Sequence, residues 1–436
     1  MHSLQQLYKI YLQHTNVITD SRKVEPGCLF FALKGENFNG NKFAAQAIEN
    51  GAAYAIIDEA DFQQGEQYIL VEDVLSTLQK LARHHRQQFP IPVIAITGSN
   101  GKTTTKELIS AVLSSHYKAH CTKGNFNNHI GVPLTLLAMP PGTEVAVIEM
   151  GANHKNEIDL LCRIAEPTHG LITNIGSAHL EGFGSIDGVK EAKSELYHYL
   201  ASHKGVAFIN QDEDFLTELA KGIKWKIFYK KGESPLSDRL PFEVQLISDT
   251  PFVKIAFASH KGKYISVNSH LIGAYNFNNI MTAAVLGTYF KVPGQKVKAA
   301  IEKYVPANNR SQLLYIGTNT FILDAYNANP TSMGNALSHF SKIAGNKKIA
   351  ILGAMRELGK YSEGEHRKVL RQALQYGFEK IITVCEEFEV GINDRKIIHF
   401  KNAQQLKKWF KKQNFNNAHF LIKGSRSVGL EILMEP

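Results

Sequence analysis

The chain has 436 residues, 44% of them apolar and 20% charged, with a net charge of +9. That length exceeds one ordinary hydrophobic core and implies roughly two to four domains. No apolar run approaches the ~18 residues that cross a bilayer, and the opening MHSLQQLYKIYLQHT has neither the apolar region nor the cleavage site of a signal peptide.

Residues 1–89 alternate short strand and helix signals. Cys28 to Leu33, Tyr54 to Ile57 and Tyr68 to Val71 read as strands, Phe43 to Asn50 as a helix closed by Gly51, and Val74 to Phe89 as a longer helix. This α/β unit carries no nucleophile pattern and no metal cluster. The turn Asp20-Ser21-Arg22 and the loop Lys34-Gly35 to Asn39-Gly40 read as turn chemistry. Phe89-Pro90-Ile91-Pro92 breaks the helix and marks a domain boundary.

Residues 91–306 open on the most informative stretch, VIAITGSNGKTTTKELISAVL. Val93 to Ile96 is a strand; Gly98-Ser99-Asn100-Gly101-Lys102-Thr103-Thr104 follows, and then an amphipathic helix with Leu108, Ile109, Val112 and Leu113 on one face. A strand feeding a Gly-rich turn at a helix start aims several backbone N–H groups and the positive helix end at one spot. Polyphosphate suits that geometry, with Lys102 as a point charge on the β/γ-phosphates and Thr103 as a hydroxyl for Mg²⁺. The spacing departs from the general P-loop formula, which needs glycine where this chain has Ile96. ATP is the expected ligand.

Thr122 to Pro133 is too polar for a core. Its asparagines, Asn125, Asn127 and Asn128, either cap turns or read a polar ligand. Glu144 to Met150 is a second buried strand, with Glu149 near its carboxyl end, where open parallel sheets gather ligands. An acid there beside a P-loop is an expected Mg²⁺ ligand; a surface carboxylate is the alternative. Gly170 to Ile175 is a third strand, which brings His179 to the same edge as a structural histidine or a second cation ligand. Lys193, in the helix Val189 to Leu200, reads by pattern as an exposed helix lysine.

Residues 206–271 change character. Phe242 to Ile247, Phe252 to Ala258 and Tyr264 to Val267 suggest antiparallel hairpins. Asn276 and Asn279 then share the first turn of a helix running on to Phe290, where they cap it or read a base edge. Residues 307–436 form another α/β unit, with strands at Thr320 to Leu323, Lys348 to Leu352, Lys380 to Val384 and His419 to Ile422. Polar clusters follow three of these strands: Asp324 to Pro330, Gly353 to Gly359 and Lys423 to Ser427. Their convergence at one sheet edge is the usual form of a binding cleft.

The positive charge fits nucleic acid or anionic small substrates. The densest basic run, Lys401 to Lys412, has helical spacing and reads as a solvated helix face without any nucleic-acid-binding motif. Cys28, Cys121, Cys162 and Cys385 are dispersed, with no C-x-x-C pair. That argues against zinc and disulfides and for a reducing cytoplasm.

These motifs, in this order, resemble the Mur ligase family, the ATP-dependent amide-forming enzymes of bacterial peptidoglycan synthesis. TGSNGKTT is similar to that family's short P-loop, which accounts for the spacing. Glu149-Met150-Gly151-Ala152-Asn153-His154, Tyr326-Asn327-Ala328-Asn329-Pro330 and Leu352-Gly353 to Glu357-Leu358-Gly359 resemble the branch that adds D-alanyl-D-alanine to UDP-N-acetylmuramoyl-tripeptide. The resemblance implies an α/β protein of three domains. They are a small N-terminal domain for the UDP moiety (1–90), a central P-loop ATPase with a parallel sheet plus antiparallel hairpins (91–306), and a Rossmann-like C-terminal domain for the amino substrate and closure (307–436).

It also implies roles. Gly98 to Thr104 would hold ATP phosphates, with Lys102 catalytic. Thr103, Glu149, His179 and a carbamylated Lys193 would hold Mg²⁺, two ions being expected. Asn276 and Asn279 match the adenine-reading pair, and Arg310 and Asp324 residues that reach ATP from later segments. Ser21, Arg22, Asn125, Asn127 and Asn128 lie on the UDP-sugar-peptide side; Tyr326 and Asn327 belong to the substrate set. Asn39-Gly40-Asn41 stands where the family commonly has Asp-Gly-His, Tyr275 where it often has His, and Ala325 and Ala354 where Ser and Asp are frequent. The implied chemistry is an acyl phosphate attacked by an amine, in a cytoplasmic monomer without membrane insertion or nucleic acid. The rivals are a sister ligase for another amino acid and a nucleic-acid-binding P-loop protein.

Overall fold

The computed structural model describes residues 3–232, 242–306 and 309–435. Three larger sheets follow one another along the chain. The first has four parallel strands in the order Val17–Ile18, Leu29–Phe31, Tyr54–Ile57, Tyr68–Leu70. Its inner strand Leu29–Phe31 is wholly buried, as a continuous apolar run on a two-sided parallel sheet must be. The helix Val74–Gln87 docks this unit onto the next one: His85 packs with Met139 O at 3.1 Å, and Arg86 donates to Ala165 O at 3.0 Å and Glu166 O at 3.2 Å. The prolines at 90 and 92 follow the end of that helix, and the two units stay in hydrogen-bond contact through it.

The second sheet has nine strands, with Val93–Thr97 between His169–Ile172 and Val145–Glu149. All three run parallel, so the loops after Thr97, Glu149 and Ile172 open at one edge. The hairpin region belongs to this same sheet. Glu243–Ser248 joins Trp225–Lys231 in parallel, and the strands Lys254–Ala258 and Tyr264–Asn268 continue from it antiparallel. The helix Lys102–Ser114 covers the sheet and packs against Tyr275–Tyr289, burying Leu108, Ile109, Val112 and Leu113 with Ile280, Met281 and Ala284. Each of the larger of these side chains contributes roughly 1.5–3 kcal/mol, so the loop at the head of the helix stands on a rigid base.

The third sheet runs Gln312–Ile316, Asn319–Asp324, Ala418–Lys423, Lys347–Gly353, Lys380–Val384, Ile397–Phe400, parallel except for its first strand. Asp324 sits opposite Lys423, and Lys423 opposite Leu352, so three strand ends meet. The expected start of this unit, residues 307 and 308, lies outside the described residues. The basic run forms the helix Ala403–Phe410, whose Ala403 and Leu406 are buried against the sheet, while Lys408 is exposed and Lys407 pairs with Glu435 at 3.3 Å. Among the described residues no helix is long and apolar enough to cross a membrane.

Candidate active site

A cleft of about 540 Å³ opens where the carboxyl edges of the second and third sheets face each other. Its floor is the turn 98–101 and the first residues of the helix behind it. Two glycines make that turn possible. Gly98 has φ +141°, and a Cβ there would lie 2.0 Å from Thr173 Oγ1; Gly101 has φ +79°, and its Cβ would lie 2.5 Å from Asn279 Oδ1. The turn is further pinned by Thr173 Oγ1 donating to Asn100 O (2.6 Å), Asn100 N–H donating to Asn174 Oδ1 (3.0 Å) and Ser99 Oγ bonding Gly176 O (3.0 Å). Lys102 Nζ donates to Gly98 O at 2.6 Å, and burial pulls its pKa below the usual lysine value. An anion in the cleft would restore the ammonium's stability.

Glu149 is 1% exposed. Its Oε1 accepts from Thr103 Oγ1 at 3.1 Å and Asn127 Nδ2 at 2.8 Å, while its buried Oε2 has no hydrogen-bond partner. The nearest cation to Oε2 is Lys106 Nζ, 3.9 Å away and engaged with Thr122 O at 2.8 Å. An unfilled carboxylate oxygen beside a threonine hydroxyl, at the mouth of a phosphate loop, fits a hard divalent cation. Among the described residues no group of three or more His, Cys, Asp and Glu could hold a metal on its own. Mg²⁺ keeps waters and phosphate oxygens and needs only one or two carboxylates, a demand that Glu149 with Thr103 could meet.

His179 also lines the cleft, with its Nδ1 against the carboxylate of Glu357 from the third sheet's unit. That contact holds the Glu357 carboxyl below its ordinary pKa. Lys193 is not the exposed helix lysine that its pattern suggests. It is 1% exposed, its Nζ donates to Ala152 O at 3.3 Å, and burial together with the Lys102 charge brings it down to about 7. It lies behind the lining, under Ala152.

The asparagines divide. Asn128 Oδ1 accepts from Ile130 N–H and Gly131 N–H at 3.1 and 2.8 Å, a turn cap; Asn127 reaches Glu149; Asn125 is exposed on the cleft wall. Asn276 and Asn279 do not cap their helix. Asn276 Nδ2 donates to Ile272 O, Asn279 Nδ2 donates to Asn276 Oδ1 (both 2.8 Å), and Asn279 Oδ1 accepts from Thr105 Oγ1 at 2.9 Å. This chain of amides fixes the P-loop helix to its neighbour along the cleft.

The opposite wall comes from the third unit. Asp324 accepts from Lys423 Nζ at 2.6 Å and from Ser311 N–H at 3.2 Å, the Arg310 guanidinium lies 3.8 Å over the Tyr326 ring, and Asn327 lines the cleft nearby. Asn329 Nδ2 donates to Asn100 Oδ1 at 2.8 Å, which ties this wall to the loop. Tyr275, on the helix of the asparagine pair, bonds Ser311 Oγ at 2.9 Å. A second cavity of about 420 Å³ adjoins at Asn100, Gly101, Tyr275 and Asn279.

Ser21 and Arg22 stand apart from the cleft's lining. Arg22 is exposed and pairs with Asp20 at 2.8 Å. The sequence Asn39-Gly40-Asn41 braces its own unit: Asn41 is buried and exchanges hydrogen bonds with Asp58, which Lys34 approaches to 3.1 Å. Sequence reasoning placed Asn329 and Lys423 in strand-end clusters without giving either a role of its own, and passed over Lys106, whose signal lies in its position on the helix that follows the loop.

The chain's relatives share this arrangement of segments. Residues 13–86 match the description "Mur ligase family, catalytic domain", residues 96–287 "Mur ligase middle domain" and residues 309–426 "Mur ligase, glutamate ligase domain". The UDP-N-acetylmuramoyl-tripeptide–D-alanyl-D-alanine ligase of Bacillus subtilis (strain 168) is 35% identical over 437 residues, covering 96% of this chain and 92% of its own. Among solved structures, MurF from Acinetobacter baumannii superposes with a TM-score of 0.84 at 31% identity, covering 99% of this chain and 97% of that one. MurF ligase from Thermotoga maritima in complex with ADP gives 0.84 at 26% identity, covering 100% and 98%. With its motifs, sheet order and full-length similarity all in agreement, the chain belongs to the Mur ligase family.

Proposed function

We propose that this chain uses ATP to join D-alanyl-D-alanine to the terminal carboxylate of UDP-N-acetylmuramoyl-tripeptide, a step of peptidoglycan precursor synthesis. The observation that carries the reading is one cleft in which a short P-loop, a buried carboxylate with a free oxygen, and the cationic and amide groups of the third unit converge. Relatives of nearly equal length bear that ligase's name.

A carboxylate is a poor electrophile, so it must be activated. A tripeptide carboxylate oxygen attacks the γ-phosphorus of ATP; the bond to the β-phosphate bridging oxygen breaks, and ADP leaves an acyl phosphate. The turn's N–H groups and Lys102 steady the transferring group, since preorganised donors act most strongly where charge develops. The D-alanyl-D-alanine amine then adds to the acyl carbon, and the tetrahedral oxyanion collapses, expelling phosphate as the nitrogen loses its proton. Neither step needs a protein nucleophile. Asn329 bonds Asn100 of the loop, Thr331 bonds Ser177 and Glu357 meets His179, contacts that hold the third unit against the middle one and exclude water while the acyl phosphate exists.

Mg²⁺, when bound, offsets negative charge on the triphosphate. We assign its ligands as Thr103, Glu149 and His179, with a carbamate on Lys193 for a second ion. The neutral amine that CO₂ needs is what the burial of Lys193 favours. Residues 1–90 are assigned to the UDP moiety, with Ser21, Arg22, Asn125, Asn127 and Asn128 on that side. Residues 91–306 take ATP, with Asn276 and Asn279 at the base and Arg310 and Asp324 reaching across. Residues 307–436 take the dipeptide near Tyr326 and Asn327. The enzyme is assigned to the cytoplasm as a monomer.

The test is ATP-dependent phosphate release with UDP-tripeptide and a panel of amines. Release together with pentapeptide product is expected with D-alanyl-D-alanine alone. Equal release with another amino acid, or release that ignores the amine, overturns the assignment.

A further inference from the structure

The motif 353–359 carries Glu357, to which the reaction as described gives only a contact between units. Its loop is held on a buried platform: Met355 N–H donates to His366 Nε2 at 2.9 Å, Arg356 N–H donates to Ser425 Oγ at 3.1 Å, and Leu358 is buried. From that platform Glu357, with φ +62°, reaches across to the middle unit. Its carbonyl accepts from Glu181 N–H at 3.1 Å, and its carboxylate meets His179 Nδ1. His179 is itself left-handed, with φ +54°. Two non-glycine residues in that strained conformation persist where the surroundings over-determine them, most often at functional sites. Tyr361 adds a third tie, its hydroxyl donating to Gly184 O at 3.1 Å.

The consequence concerns which nitrogen of His179 is available. A carboxylate on Nδ1 fixes the proton there and leaves the Nε2 lone pair free, and it raises that nitrogen's basicity as a ligand. His179 Nδ1 is buried, the Glu357 carboxylate is the ion-pair partner set against it, and the ring lines the cleft. We propose that Glu357 is a positioning residue that sets the tautomer and orientation of His179 from the opposite unit, so that His179 becomes a full cation ligand only when the third unit is docked. The proposal rests on the assignment of His179 to a divalent cation. It adds that cation binding and docking of the third unit are coupled, which by linkage is reciprocal.

Mn²⁺ is the probe, titrated by electron paramagnetic resonance into the full chain with ADP present. Glu357→Ala is expected to weaken one Mn²⁺ site about 10–100-fold, the usual effect of losing such an outer partner. Glu357→Gln is expected to keep most of the affinity, because its amide oxygen still accepts from Nδ1–H. In a double variant with His179→Ala, the loss of Glu357 should add nothing further. Thermal unfolding checks that each variant folds, and the half-exposed Glu357 side chain makes the Gln variant the safer of the two.

Two outcomes overturn the proposal while leaving the cation assignment intact. One is Mn²⁺ affinity within twofold of the parent in Glu357→Ala when His179→Ala weakens it. The other is tighter Mn²⁺ binding in Glu357→Ala, which would make Glu357 a competitor for the histidine. Unchanged affinity in His179→Ala itself overturns the assignment on which the proposal rests.

Discussion

Replacing Lys193 by Ala is expected to abolish ligation while leaving nucleotide binding intact. The amine is 1% exposed and brought down to about 7 by burial and the Lys102 charge. At pH 8 it is therefore about nine-tenths neutral, against about 0.4% for an ordinary lysine near 10.4. CO₂ adds only to the neutral amine, so the site holds the reactive form some two-hundredfold above a surface lysine. A carbamate there would place an anion beside Ala152 and the Lys102 charge, where a bare ammonium is penalised. Losing it should lower kcat by about 10²–10³-fold, the scale of removing one preorganised charge-stabilising group. The assay is phosphate release with chromatographic detection of pentapeptide, in bicarbonate-free and bicarbonate-containing buffer. Bicarbonate should raise the parent's rate, and acetate or formate should partly rescue the Ala variant. A variant that keeps the parent's full rate refutes the carbamate. The same shift affects folding. Between pH about 7 and 10.5 the unfolded chain holds a proton here that the folded chain does not, so this residue makes stability rise with pH across that window. Lys193→Met should flatten the rise in a series of thermal melts.

Gly101→Ala forces a side chain into φ +79° and against Asn279 Oδ1. The backbone cost of roughly 1–2 kcal/mol should weaken ADP binding about tenfold by calorimetry, and an unchanged affinity would mean that the turn yields freely. Glu149→Gln keeps the volume but removes the charge behind the unpartnered Oε2. Mg²⁺ dependence should shift to higher concentration, with thermal stability close to the parent's, and an unaltered Mg²⁺ titration contradicts the metal role. Asp324→Ala leaves Lys423, 3% exposed at its side chain, without its 2.6 Å partner. Chemical denaturation should show a loss of about 3 kcal/mol, the low end for breaking a buried pair.

Much of this site was legible from residue order. The strand Val93–Thr97 and its turn were plain because buried parallel strands are continuous apolar runs and phosphate loops need glycine at fixed offsets. Glu149 was recognisable by its place at a strand end. What stayed hidden depends on tertiary contact. Lys193 has the neighbours of a surface lysine in sequence, and only the packing of its helix under Ala152 buries it. Asn128 and Asn127 are adjacent and alike, yet one caps a turn and the other reaches a carboxylate. The strand Ala119–Cys121 is three residues long and half-buried, with no periodicity to read. Trp225–Lys231 alternates poorly, with Tyr229 alone buried among half-buried and exposed neighbours. The link between Glu357 and His179 spans two units and leaves no trace in local pattern.

The central claim is that the peptide carboxylate is activated by direct attack on the γ-phosphate. Tripeptide substrate labelled with ¹⁸O at its terminal carboxylate tests this in one turnover, read by mass spectrometry of the released phosphate. Transfer of a single ¹⁸O into inorganic phosphate, with unlabelled ADP and an amide retaining the other oxygen, is the expected result. Unlabelled phosphate, or label appearing in a nucleotide, would contradict the account.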